Sequence, residues 1–191
     1  MTDPAGSGPG SSPGPATARI RASVHYHLID LVFGGPGDLL DPPDPPLPRE
    51  DAGVAEAVGT AVRLTAGPHT GDIDMLVVSA DRDPGPDPEY GDVVSVSVWA
   101  PGGPPSLIEW AGEAVHPLPP LPAGPGWYRV RYHIEDYDAA HEADVDAEEP
   151  VGRHLLQIWP QERTAPEAER ITSAGAAYWL ERRPPPAPPV R

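Results

Sequence analysis

Thirty prolines and twenty glycines divide this 191-residue sequence into short pieces. Proline removes a backbone donor and glycine weakens regular structure, so interrupted runs favour short strands over long helices. The breakers cluster at residues 1–17, in GGPGDLLDPPDPPLPRED (34–51), in DPGPDPEYGD (83–92) and in the closing RRPPPAPPVR. Residues 1–17 offer almost nothing to bury and read as a disordered tail, and 183–191 reads as a polyproline II tail. The expectation is one domain over 18–182.

Between the breakers the apolar period is two. In RIRASVHYHLIDLVF (19–33), Ile20, Ala22, Val24, Tyr26 and Leu28 alternate with Arg19, Arg21, Ser23, His25 and His27, which predicts a half-buried strand. AVGTAVRLTAG and GDIDMLVVSA predict two strands joined by GPHTG. VVSVSVWAP predicts a further strand, and PSLIEWAGEAVHPL predicts one or two. In GWYRVRYHIEDY, Tyr128, Val130, Tyr132 and Ile134 form one face, and Arg129, Arg131, His133 and Glu135 the other. The apolar density of GRHLLQIWP predicts a strand buried on both sides. After Pro160 the period lengthens. Thr164 and Glu167 can form a capping box, and Ala168, Ile171, Gly175, Tyr178 and Trp179 recur at helical spacing, so a helix is expected over 165–182. The fold expected is all-β, an antiparallel β-sandwich of about 6–8 strands with one C-terminal α-helix.

The net charge of −16 argues against direct binding to nucleic acid or to an anionic membrane. All 13 basic residues are arginine, and the absence of Lys and Asn fits a GC-rich genome. There is no cysteine, hence no disulfide, thiolate nucleophile or Cys-ligated metal. No signal pattern opens the sequence and no apolar run is long enough to cross a bilayer, so a soluble cytoplasmic protein is expected. No serine lies in a nucleophile elbow and no phosphate-cradling glycine loop is followed by Lys, so no catalytic residues and no cofactor are expected.

The densest charge lies between two predicted strands. Glu135, Asp136, Asp138, Glu142, Asp144, Asp146, Glu148 and Glu149 fall within fifteen residues without a basic neighbour. One reading is a solvated hairpin loop. The other is a negative surface that attracts a basic protein or a cation. Asp81, Asp83, Asp87, Glu89 and Asp92 have near-alternate spacing suited to calcium, but three prolines and a misplaced glycine favour a plain acidic loop. His25 and His27, at i and i+2 on a strand, could share a transition metal, with His133 or His154 as a third ligand; otherwise they sit on a polar face with Arg19 and Arg21. The five tryptophans read as core.

The order of elements resembles the competence protein J family. SVHYHLIDLVF, with Tyr26-His27, is similar to that family's first strand. LPPLPAGPGWYRVRYHI looks like its proline–glycine turn feeding a Tyr-bearing strand, here with Tyr128, and HLLQIWP takes the place of its last strand. The resemblance spans about 19–160, leaving the late helix and both tails outside. It implies a β-sandwich that binds and silences a DNA-entry nuclease. The same stretches resemble proteins of GC-rich actinobacteria. Taken with the charge, the expectation is a non-catalytic acidic protein that meets a basic partner, a nuclease or a toxin, through the 135–149 carboxylates. A metal-binding protein using His25 and His27, or an accessory domain without a site, are the alternatives.

Overall fold

In the computed structural model, residues 14–34, 47–143 and 147–182 are described. The strands are β1 (Ala16–His25), β2 (Leu28–Val32), β3 (Glu50–Asp51), β4 (Ala55–Val58), β5 (Ala61–Thr65), β6 (Thr70–Ser79), β7 (Asp92–Ala100), β8 (Ser106–Ile108), β9 (Val115–Pro117), β10 (Gly126–Ile134), β11 (His154–Pro160) and β12 (Glu167–Arg170). A 3-10 turn covers Trp110–Gly112, and the helices are α1 (Tyr137–Ala143) and α2 (Ala174–Arg182).

Ten strands follow one path, β12-β7-β10-β11-β6-β1-β2-β5-β4-β3, with β8 and β9 branching from β2. Among the described residues the pairings are antiparallel except one: β11 lies parallel to β6, with His154 opposite Met75 and Ile158 opposite Ser79. The expected antiparallel β-sandwich of 6–8 strands is therefore corrected to one mixed sheet curled into a half-barrel. Strand twist lets a long sheet bend back and bury its own concave face, so no second sheet is needed. Across the curl, β3, β4 and β5 approach β7. Beyond the end of β12, buried Glu50 takes over as the edge partner: its Oε2 accepts the Ser97 backbone N–H at 2.8 Å, and its Oε1 accepts Arg163 Nε at 2.8 Å.

Alternation builds the concave core. Ala22 and Val24, Ile73, Met75 and Val77, Val94, Val96 and Val98, Tyr128, Val130, Tyr132 and Ile134, and Leu156 and Ile158 all face inward. The opposite face of β10 carries the polar row Arg129, Arg131, His133 and Glu135, yet it does not lie open to water. Arg129, Arg131 and His133 are buried, because 161–170 returns across it and the 81–91 loop covers its end. Arg129 donates to Ser95 Oγ (2.7 Å), Ser97 Oγ (3.2 Å) and the carbonyls of Thr164 (3.3 Å) and Ala165 (3.0 Å). Arg131 takes Asp83 with both ends of its fork, donates Nε to Glu169 at 2.8 Å, and lies 4.6 Å from the centre of the Trp159 ring.

The late helix is shorter than the expected 165–182. Residues 167–170 pair with β7 as a bulged edge strand, and only 174–182 are helical. Thr164 does not open a capping box; its N–H goes to Ser97 Oγ. Ser173 caps the helix instead, its Oγ accepting the Ala176 N–H at 3.1 Å. The expected 1–17 tail lies outside the described residues as far as 13, and Ala16 and Thr17 already belong to β1. The expected 183–191 tail also lies outside them.

Candidate functional site

The acidic segment is not a plain loop. Its first half folds into α1, which buries Tyr137 and Ala140 against the β5–β6 turn. Gly67 allows this contact: a Cβ there would stand 2.6 Å from the Tyr137 carbonyl oxygen and 2.8 Å from the Ala140 Cβ. Ala139, Ala140 and Ala143 are strong helix formers, a signal masked by counting the acids around them.

The eight carboxylates divide by role. Glu135 holds Arg153 with both oxygens, at 2.5 and 3.0 Å, and the guanidinium keeps its carboxyl below the usual range. Glu149 pairs with Arg21 at 2.9 Å. Asp138 is a helix cap: its two oxygens accept the backbone N–H groups of Ala174 and Gly175, each at 2.8 Å. Beside it, buried Asp92 accepts from Thr172 N at 2.7 Å and Ser173 N at 3.0 Å. Asp136, Glu142 and Glu148 are exposed and make no side-chain hydrogen bond or ion pair among the described residues. Asp144 and Asp146 lie outside those residues. Glu148 and Glu149, with Asp72 and Ala140 of α1, line a shallow cavity of about 190 Å³. Replacing Asp138 by Ala strips two donors at the start of α2 of their acceptor. It should cost about 1–2 kcal/mol in urea denaturation. Glu142→Ala, from the same helix, should cost less than about 0.5 kcal/mol.

His25 and His27, the alternative metal pair, do not share one face of a strand, because the strand ends between them. Tyr26 and His27 are the two central residues of the β1–β2 turn, both at positive φ (55° and 68°), and His25 pairs with Leu28. His25 therefore faces Glu113, 3.8 Å away, and His27 faces the opposite side. There three imidazoles gather. Both His27 Nδ1 (3.1 Å) and His141 Nδ1 (3.2 Å) reach the Gly67 carbonyl, and the His69 ring is 5.1 Å from that of His27. Burial, with His69 and His141 as neighbours, lowers the His27 pKa. Among the described residues no group of three or more His, Cys, Asp or Glu is placed to hold a metal ion. The would-be third ligands are occupied or enclosed: His133 Nε2 accepts the Asp87 N–H at 3.2 Å, and His154 Nδ1 bonds the Tyr132 hydroxyl at 2.8 Å. The carboxylates of the calcium-like spacing are also dispersed. Asp83 holds Arg131, Asp87 accepts Glu89 N, Glu89 reaches Arg153, and Asp92 serves α2.

The tryptophans do not all enter the core. Trp159 is buried, while Trp110 is 41% exposed and leans on Tyr26, itself 57% exposed, with ring centres 5.4 Å apart. Alternation along β1 had placed Tyr26 inward. The reversal of the chain at Tyr26-His27 turns it out. One end of the half-barrel thus carries the exposed aromatic turn, the three histidines and α1 with exposed Glu142, joined through Gly67.

A curled mixed half-barrel with two short helices packed at one end is the class of fold that this chain adopts. Among solved structures, the crocagin biosynthetic gene J protein aligns with a TM-score of 0.54 at 13% identity, over 78% of this chain and 99% of that one. ComJ from Bacillus subtilis, an inhibitor of the DNA degrading activity of NucA, aligns with a TM-score of 0.47 at 13% identity, over 75% and 96%. At 13% identity the first of these likenesses is one of fold alone. No protein-family model matches the sequence, and no curated protein matches it. Among the described residues no helix is long and apolar enough to cross a membrane.

Proposed function

We propose that this is a non-catalytic binding protein whose acidic end meets a basic protein, in the manner of an inhibitor or immunity protein for a nuclease or toxin. The observation that carries the reading is the set of exposed carboxylates Asp136, Glu142 and Glu148, which have no side-chain partner among the described residues. Glu135, Asp138 and Glu149 are instead engaged within the fold, which separates charge that holds the fold from charge that can meet a partner. A nuclease groove built to take phosphates is a natural counterpart for fixed carboxylates. Such charges raise the association rate more than they add affinity, and salt screens them.

The test uses the full chain immobilised at low ionic strength, exposed to lysate of the source organism and eluted in salt steps. A basic protein is expected to leave at intermediate salt. Glu142→Gln combined with Glu148→Gln should release it earlier and slow association by about threefold to tenfold. Asp138 is left intact because its loss would unsettle α2. An eluate without basic proteins, or equal elution from the double variant, would reject the reading.

A further inference from the structure

We infer that Tyr26 and Trp110 form an anchor for a guanidinium or ammonium side chain presented by the basic partner, with Glu113 as its counter-charge. The inference rests on the binding reading above and names the contact that would hold the partner once the carboxylates have steered it in.

The backbone around these rings adopts costly conformations. A two-residue hairpin turn with both central residues at positive φ normally uses Asn-Gly or Asp-Gly. Here it is Tyr26-His27, at 55° and 68°. Ala111, next to Trp110 in the 3-10 turn, is also left-handed at 54°. Non-glycine residues persist there only when their surroundings hold them, and such outliers concentrate at functional sites. The bracing is visible. The Glu109 carboxylate accepts both the Ser23 N–H (3.0 Å) and His116 Nε2 (2.8 Å), fixing the 3-10 turn against β1. The His27 N–H donates to the His69 carbonyl at 3.0 Å, and the Ala66 N–H to the His27 carbonyl at 2.8 Å.

These constraints hold two large rings at the surface. The Trp110 and Tyr26 rings are tilted 48° to each other, with the His69 ring 5.1 Å beyond Tyr26 and the His25 ring 6.0 Å from Trp110. The Glu113 side chain is 56% exposed beside His25. Aromatic faces attract cations, tryptophan most strongly, and a neighbouring carboxylate selects for them further. Exposed Trp and Tyr are also the residues that most often dominate protein interfaces. On a chain of net charge −16 the complementary occupant is a cationic side chain of a basic protein.

The probe is an octa-arginine peptide titrated into the full chain at low salt, read by calorimetry and tryptophan fluorescence, with octa-glutamate as the counter-probe. Trp110→Ala and Tyr26→Ala should each weaken octa-arginine binding by about fivefold or more, and Glu113→Gln by about twofold to threefold. Octa-glutamate should not bind. Tyr26→Asn decides the matter if Trp110→Ala lowers the melting temperature. Asparagine tolerates the left-handed turn, so this variant should melt no lower than the parent while binding as weakly as Tyr26→Ala. Full-strength octa-arginine binding by a folded Tyr26→Asn, or no binding by the parent, overturns the anchor. A basic protein retained equally by parent and Tyr26→Asn also overturns it, and leaves the acidic-surface reading standing. Octa-arginine captured through Trp110 in the absence of any retained basic protein supports the anchor and removes the nuclease-or-toxin reading.

Discussion

Arg131→Met should lower stability by about 3–5 kcal/mol and the melting temperature by roughly ten degrees. Arg131 is 6% exposed, and its guanidinium serves four partners: Asp83 at 2.6 and 3.2 Å, Glu169 at 2.8 Å, Gln157 at 3.1 Å and the Trp159 face. Removing it leaves Glu169, only 16% exposed, without its counter-charge. An unpaired enclosed charge costs far more than the intact pair contributes. Asp83, at 48%, can turn to water, which limits the loss on that side. Lysine should not restore stability, because an ammonium cannot bridge two carboxylates in the plane of a fork. Thermal and urea denaturation measure the loss, and hydrogen exchange should show β12 opening first. A change below about 1 kcal/mol would mean that the buried network is idle.

Mild acid, between pH 6.5 and about 4, should destabilise this protein through its buried histidines. Burial pushes His133 and His154 from an ordinary 6.5 down to about 4. The folded state thus keeps both imidazoles neutral while the unfolded chain takes up protons. Stability is full above pH 6.5 and is lost as pH falls through the window to about 4. Two such groups give a slope of roughly 2–3 kcal/mol per pH unit inside that window. His27, lowered in the same direction, adds to it. Asp83 and Glu135, held low by Arg131 and Arg153, extend the loss to more acidic pH. Urea midpoints between pH 7 and 4.5 read this directly. His133→Gln keeps an acceptor for the Asp87 N–H and removes one titrating group, so its slope should fall by about half. A midpoint independent of pH would show that neither histidine is held neutral.

The sequence made legible whatever depends on near neighbours. Alternation marked β1 and β10, β-branched content β7 and apolar density β11, and the inward row Tyr128–Ile134 is where the period of two places it. Distant returns of the chain were not legible. Arg129, Arg131 and His133 were legible as the polar face of β10, but nothing local announces that 161–170 will cover them. The parallel β6–β11 contact leaves no mark in either strand. Tyr26 continued the apolar alternation, but a turn at positive φ reversed the chain without glycine or asparagine to signal it. At the candidate site the acidic segment was visible, yet sequence could not divide it. Asp138 differs from Glu142 only because the start of α2 arrives beside one and not the other.

The single parallel contact also governs how this chain can find its fold. β6 and β11 meet by pairing Met75 with His154, about eighty residues apart, and that seam joins the β12-β7-β10-β11 half of the sheet to the rest. Loop closure over such a span is rewarded only after the strands on each side exist, whereas a neighbouring hairpin such as β1–β2 needs no such wait. The two halves should therefore assemble first and dock late, on the millisecond-to-second scale of sheets dominated by remote pairings. Until they do, both seam strands carry unpaired edges, so the slowest step in folding is also the interval of greatest exposure to aggregation.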